Sequence, residues 1–305
     1  MQSNILYSII IPHHNIPQLL IRCISSIPAR DDLEIIIVDD CSMVDLTSVD
    51  EFVSRRDNQV SIIKLKKNIG AGGARNIGLK QAQGKWILFA DSDDYFSKNA
   101  FEIFDEYSSD DYDVIHFNHC SVYSDTLEKA NRSTQHSDII QEASKNSTYL
   151  DKLRFHTPTP WAKLISHSII KRYNIVFDKC VASNDVMFSA YLGIYSTKHK
   201  ADYRTVYVAT ERSGSLTNTF NKNVLRSRFE VTLRFNKLMT DHGYKKMRKQ
   251  VFFKIIKTFK YYGFTEAFRY IKISVHSKEN PLRGISKTYS IVKRNIKYTR
   301  RNDPN

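Results

Sequence analysis

Four short runs of β-branched and apolar residues, each ending in a polar cluster, constrain the fold more than any other feature of this chain. Tyr7 to Ile11 ends at Pro12-His13-His14-Asn15, and Glu34 to Val38 ends at Asp39-Asp40-Cys41-Ser42. Val60 to Leu65 leads to Asn68 to Gly73, and Trp86 to Ala90 leads to Asp91-Ser92-Asp93-Asp94. Short β-branched runs bounded by polar residues or proline read as buried parallel strands. Between the first two, Gln18 to Ile27 has helical spacing, with Leu19, Leu20, Cys23, Ile24 and Ile27 on one side. A second helix is expected after the glycine-rich loop, through about Gln83. Strands alternating with helices predict an α/β fold with helices on both faces of a mostly parallel sheet. In such a sheet ligands bind beyond the carboxyl ends of the strands, so all four polar clusters are expected on one edge.

Several functional classes drop out. The 305 residues, 41% hydrophobic and 12% aromatic, suffice for a large α/β domain with an appendage. No run of about 18 uncharged apolar residues predicts a membrane span. The Ile9-Ile10-Ile11 run stops at Pro12, so a secretory signal is not expected and the chain is expected in the cytosol. Cys23, Cys41, Cys120 and Cys180 form no zinc or redox pattern, and the Asn131 and Asn146 sequons are read as chance. Gly70-Ala71-Gly72-Gly73-Ala74-Arg75 carries Arg75 where a dinucleotide fingerprint wants Gly or Ala, and no ATPase P-loop sequence occurs.

Asp91-Ser92-Asp93-Asp94 admits two readings. Such a run caps helices and turns through carboxylates that accept free backbone N–H groups. It also suits a hard divalent cation with a diphosphate as co-ligand. Three other polar strand ends on the same expected edge favour the cation. From Ser121 to Thr148 the chain is polar, which predicts a long surface excursion with at most a short helix.

Ser8 to Asn15, Glu34 to Ser42, Asn68-Ile69-Gly70 with Ala74 to Leu79, and Asp91 to Asp94 match, in order and spacing, the family 2 glycosyltransferases. The resemblance is strong over about the first 100 residues and looser over roughly 150 to 220. It implies a GT-A fold, inversion at the sugar and a nucleotide-sugar donor, with a UDP-sugar expected. Pro12, His14 and Asn15 would line the base and ribose pocket, and Asp39 would accept a hydrogen bond from uracil. Arg75 would lie near the phosphates, Asp91 near the ribose, and Asn68, Gly70 and Ser92 would belong to the same donor-binding set. Asp93 would hold Mn2+ or Mg2+. Asp185 would be the general base, with Asn184, Trp161 and Lys163 on the acceptor side; Trp161 can equally be core. His14 stands where the family usually has Tyr or Phe, and Asn184 replaces the commoner Glu. Glu211 to Thr217 resembles a late family segment near the diphosphate. The implied acceptor is a glycan or lipid-linked glycan of bacterial surface polysaccharide. A nucleotidyltransferase acting on a sugar phosphate and a catalytically silent GT-A-like binding subunit are the rival readings.

The net charge of +14 resides in the last quarter: from Lys222 onward 22 Lys and Arg face five Asp and Glu. Residues 1–220 are therefore read as the catalytic domain, with 1–100 the nucleotide half and 101–220 the acceptor half, and 221–305 as a basic helical appendage. Phe252, Ile255, Ile256, Phe259 and Tyr262 are expected to form one stripe, with Lys254, Lys257 and Lys260 on another side. Packing on the catalytic domain or a second subunit, giving a homo-oligomer, and contact with an anionic membrane surface at the inner face of the cell membrane are both open for this region. Nucleic acid is not expected, since no recognised module is present.

Overall fold

The apolar runs become neighbouring strands: β1 (Tyr7–His13), β2 (Leu33–Asp39), β3 (Gln59–Lys64) and β4 (Trp86–Phe89). A computed structural model of the chain describes residues 5–56, 59–130, 134–212 and 221–285. All residues of β1, β2 and β4 are buried, as two-faced burial requires. Along β1 and β2 the side chains divide by parity. Ile9, Ile11, Ile35 and Ile37 enter a core with Leu20, Cys23 and Ile24 of helix α1 (Pro17–Ser25) and Val49 of helix α2 (Thr47–Ser54). Ile10, Ile36 and Val38 enter a second core on the other face, which Ala74 of helix α3 (Gly70–Gln81) shares. β3 departs from the expectation of a buried strand. It lies at the end of the sheet and mixes exposed with half-buried residues, because only β2 borders it.

The second half adds β5 (Tyr95–Phe96), α4 (Ala100–Asp105), β6 (Val114–Tyr123), α5 (Thr134–Lys145), α6 (Leu150–His156), β7 (Lys163–Ser166), α7 (His167–Tyr173), α8 (Asn184–Tyr195) and β8 (His199–Glu211). One sheet of order β3-β2-β1-β4-β7-β6-β8-β5 results. β1 pairs in parallel with β2 and β4, β2 with β3, and β6 with β8; β7 and β5 join antiparallel. The polar stretch from Ser121 is more ordered than expected, since it holds the end of β6 and the 12-residue helix α5. Ile140 and Ala143 of that helix bury against Leu153 and Ala201, an apolar spacing the surrounding Ser, Asn and Lys obscure.

The chain divides into two compact units, Met1–Cys180 with Asn184–Asn218, and Val181–Ser183 with Thr219–Asn305. In the second, α9 (Lys222–Asp241) packs on α10 (Phe252–His276) through Phe229, Leu233, Ile255 and Tyr270. Asn221 caps α9 by accepting from the Val224 N–H at 2.9 Å. The expected stripe on α10 is not one buried face. Ile255 is buried, but Ile256, Phe259 and Tyr262 are exposed, because Val251, Ile255 and Thr258 form the side that meets the core. At Gly263 (φ 77°, ψ −176°) the backbone leaves the helical region and α10 bends. No helix among the described residues is long and apolar enough to cross a membrane.

α3 can lie close on β1 because residue 78 has no side chain: a Cβ there would sit 2.4 Å from Cγ2 of Ile10. Gly78→Val is expected to cost about 2–3 kcal/mol, the upper part of the usual overpacking range, since the obstacle is a fully buried β-branched residue. Urea unfolding followed by circular dichroism measures it, and a midpoint equal to wild type contradicts this packing.

Candidate active site at the carboxyl edge of the sheet

Beyond β1, a hydrogen-bonded frame fixes the first two polar clusters. His13 is buried. Its Nε2 accepts the Ile16 N–H at 3.1 Å, so Nδ1 carries the proton and donates to Asp39 Oδ1 at 2.8 Å. Burial, working against Asp39, holds the His13 pKa below its ordinary value, consistent with the neutral ring. Burial pushes the Asp39 carboxyl up, but bonds from the Ser42 hydroxyl, the Ser42 N–H and His13 outweigh it and hold its pKa below the usual range. Asn15, in the left-handed region (φ 59°), accepts the Met43 N–H at 2.7 Å and ties the β1 loop to the β2 loop. His14 is exposed, and its Nε2 lies 3.0 Å from the Asn15 amide nitrogen. Pro12 is buried within β1, so the backbone and not its ring borders the edge.

Asp40 organises the third cluster. Its two oxygens accept the N–H groups of Ile69 and Gly70 at 2.7 and 2.8 Å, at the start of α3. The expected glycine-rich loop is thereby shortened, and the helix begins at Gly70. An anion from a neighbouring strand supplies the cap that Ile69 cannot. Asn68 donates to the Asp40 carbonyl at 3.3 Å.

α3 also carries Arg75, whose guanidinium bridges two distant segments, donating to Asn184 Oδ1 at 3.0 Å and to Asp91 Oδ1 at 2.5 Å. It lies over the Phe177 ring at 5.3 Å and is buried. Gly72 permits this approach: a Cβ there would come 2.3 Å from the Asp178 carbonyl oxygen and 2.9 Å from Asn184 Cβ. Asn184 opens α8 and Asp185 lies in its first turn, half-buried.

In the fourth cluster the three carboxylates separate by environment. Asp94 is fully buried; it accepts the Thr210 N–H at 2.6 Å and the Tyr207 hydroxyl at 3.1 Å. Tyr207 in turn accepts the Asp91 N–H at 2.9 Å. Asp93 pairs with Arg212 Nε at 3.0 Å, while its carbonyl accepts Arg22 at 2.6 Å and the Thr210 hydroxyl at 2.7 Å. Ser92 is buried in the turn. Oxygens of Asp91, Asp93 and Asp94 fall within 4.8 Å of one another. With Asp94 committed to β8, Asp91 and Asp93 remain as half-buried donors. Two carboxylates completed by phosphate oxygens and water fit Mg2+ or Mn2+.

Trp161 is core: it stacks on Tyr207 at 4.9 Å with an 8° interplanar angle. Lys163 points inward as well, donating to the Thr157 carbonyl at 2.6 Å, and lines a small cavity with Trp161, His116, His119 and His136. Burial pushes the Lys163 pKa down to about 7, against the pull of the Asp185 carboxylate. Sequence reasoning missed His13, Asp40, Tyr207 and Thr210, whose roles come from partners far along the chain. Arg212 had one signal, the late segment from Glu211; its remainder, Ser213 to Thr217, lies outside the described residues.

Comparison with known proteins identifies the fold and the family. Poly(ribitol-phosphate) beta-N-acetylglucosaminyltransferase TarS of Staphylococcus aureus is 27% identical over 216 residues, 68% of this chain and 36% of its own. Poly(ribitol-phosphate) beta-glucosyltransferase of Bacillus spizizenii is 29% identical over 209 residues, 66% of this chain and 32% of its own. The chain thus spans about a third of the length of these curated relatives. The crystal structure of S. aureus TarS 1-349 in complex with UDP-GlcNAc superposes with a TM-score of 0.65 at 20% identity, covering 84% of this chain and 73% of that one. The mannosyltransferase PcManGT of Pyrobaculum calidifontis, in complex with GDP-Man and Mn2+, superposes with a TM-score of 0.55 at 12% identity, covering 94% and 79%. The fold is the GT-A fold of TarS. The model of glycosyl transferase family 2 matches residues 8–173, more than half of the sequence, and the chain belongs to that family of glycosyltransferases.

Proposed function

We propose that the chain is a metal-dependent, inverting glycosyltransferase that moves a sugar from a UDP-sugar to a glycan or lipid-linked glycan in bacterial surface polysaccharide assembly. The observation that carries this reading is the meeting of Arg75, Asp91 and Asn184 beside the Asp93–Arg212 pair, at the carboxyl edge where a parallel sheet takes its ligands. The UDP-GlcNAc bound by TarS and the poly(ribitol-phosphate) acceptors in its relatives' names support a uridine donor and a surface-polymer acceptor.

Asp93, with Asp91, would hold the Mn2+ or Mg2+; when bound, such a cation offsets the charge that builds on the departing diphosphate. Arg75 and Arg212 present guanidinium groups, held by carboxylates in the free protein, that can exchange them for phosphate oxygens. The Asp39 carboxylate, aimed by His13 and Ser42, keeps acceptor capacity for a base N–H. The acceptor hydroxyl attacks the anomeric carbon as the bond to the diphosphate breaks, and its proton passes to Asp185. Asp185 lies in the first turn of α8.

Three outcomes test this reading. Asp93→Ala should abolish Mn2+-dependent binding of UDP-sugars in calorimetry, and retained binding moves the cation elsewhere. Asp185→Asn should keep donor affinity while UDP release falls by at least about 100-fold, the low end of general-base contributions; undiminished release removes Asp185 from the role. Lys163 supplies a pH signature. Folded, it loses its proton near pH 7, whereas the unfolded chain holds it to about its ordinary value of 10.5. The unfolded state therefore binds more protons across that window, and Lys163 makes stability rise with pH there. The melting temperature of wild type should gain on that of Lys163→Met between pH 7 and 10, and a constant difference contradicts the buried amine.

A further inference from the structure

α10 exposes an apolar surface that the core of its own unit does not use. Phe253, Ile256, Phe259, Tyr261, Phe264 and Phe268 are all exposed, Phe264 to 69%, and they lie along and around the bend at Gly263. Phe264 and Phe268 stack with ring centroids 6.0 Å apart. Singly exposed apolar residues are ordinary, but six on one helix call for a partner. The charge beside them has one sign. Lys260 lies 5.8 Å from the Tyr261 ring and Lys272 lies 4.9 Å from the Phe268 ring, so ammonium groups alternate with aromatic faces. Between Asp241 and Asp303 the sequence has only two carboxylates, Glu266 and Glu279. Both are buried and already neutralised, Glu266 by Lys222 and Arg269, Glu279 by Arg248 and Arg283. Among its described residues α10 therefore offers cations and apolar rings without an exposed anion of its own; the carboxylates of α9, Glu230 and Asp241, are paired with Arg226 and Lys237.

The combination selects the partner. A second copy would bring like charge against like charge, an unfavourable pairing for a segment that carries 22 Lys and Arg against five Asp and Glu. Stacking on nucleic-acid bases would use the rings but would leave the aliphatic Ile256 without a role. An anionic bilayer surface satisfies all of it: rings and aliphatics enter the boundary between headgroups and acyl chains while ammonium groups meet lipid phosphates. We infer that α10, around its Gly263 bend, is a docking surface for an anionic lipid membrane, Phe259, Phe264 and Phe268 supplying the inserted groups and Lys260 and Lys272 the headgroup contacts. This goes beyond sugar transfer and is independent of it, since adsorption needs neither donor nor metal.

Co-sedimentation of the full-length protein with vesicles tests it. Wild type should pellet with phosphatidylglycerol-containing vesicles at low salt, release as salt rises, and bind pure phosphatidylcholine weakly. The triple variant Phe259→Ser, Phe264→Ser, Phe268→Ser should bind the anionic vesicles at least about ten-fold more weakly with its circular dichroism unchanged, since each inserted ring is worth more than the energy of a ten-fold factor. Lys260→Gln with Lys272→Gln should weaken binding and flatten its salt dependence. Should the triple variant misfold, Phe264→Trp gives a second readout, a blue shift of its added fluorescence on anionic vesicles. Four results would overturn the inference. These are no binding of wild type to anionic vesicles, undiminished binding by the folded triple variant, no shift from Phe264→Trp, and tighter binding of a single-stranded oligonucleotide through the same rings. A dimer that the triple variant abolishes, without vesicle binding, assigns the surface to a second copy and overturns it equally.

Discussion

The buried carboxylate of Asp94 holds the acidic turn to the rest of the sheet. It has no access to solvent, and it accepts a backbone N–H and a phenol from β8, a strand more than 100 residues away in sequence. Through Tyr207 the same contact reaches the Asp91 N–H, and through Thr210 it reaches the Asp93 carbonyl. A polar group removed from water at this depth is tolerated only when its hydrogen-bonding capacity is used. The turn therefore has one backbone course, and Asp91 and Asp93 are left facing the edge. The three aspartates, alike in sequence, thus differ in kind: one fastens and two present.

Around that turn the positive charge comes from elements that meet only in the folded state. Arg75 arrives on α3 and Arg212 follows β8, and each takes one of the presented carboxylates. Arg22 from α1 binds backbone oxygen. The edge is accordingly neither an open anionic patch nor a cationic one, but a set of ion pairs whose members all suit a diphosphate and its counter-ion. Coulomb energies of such half-buried pairs are moderate, so exchange of partners costs far less than creating either charge alone.

Much of the frame was legible in the sequence. Short, largely apolar and β-branched runs read as strands covered on both faces, and β1, β2 and β4 are that. Val60 to Leu65 looked equivalent but became the edge strand, because strand order is decided by long-range pairing and not by composition. The start of α3 was hidden for a similar reason: three of the residues Gly70 to Gly73 are glycines, poor helix formers, and the carboxylate that caps them directly follows β2. Among the site residues, those announced by motif, such as Asp39, Arg75, Asp91 and Asp93, lie at the edge. Tyr207 and His13 gave no local signal, since what they do depends on a partner 26 or more residues away. In α10 the helical period was readable and the covered side was not. Several aromatic residues sat on adjacent arcs, and Thr258 and Ile255 turned inward instead of Ile256 and Phe259.

The His13 ring carries a consequence of its own. Its two nitrogens are used in opposite senses, one giving a proton to Asp39 and the other receiving the Ile16 N–H, so the ring is full only when neutral. A second proton would set two donors face to face across a 3.1 Å gap, at the turn that carries His14 and Asn15 toward the edge. Burial holds the ring's pKa below its ordinary value and so opposes that second proton. A single tautomer thus acts as the pin of the first strand loop, joining the end of β1 to Asp39 on one side and to the Ile16 backbone on the other.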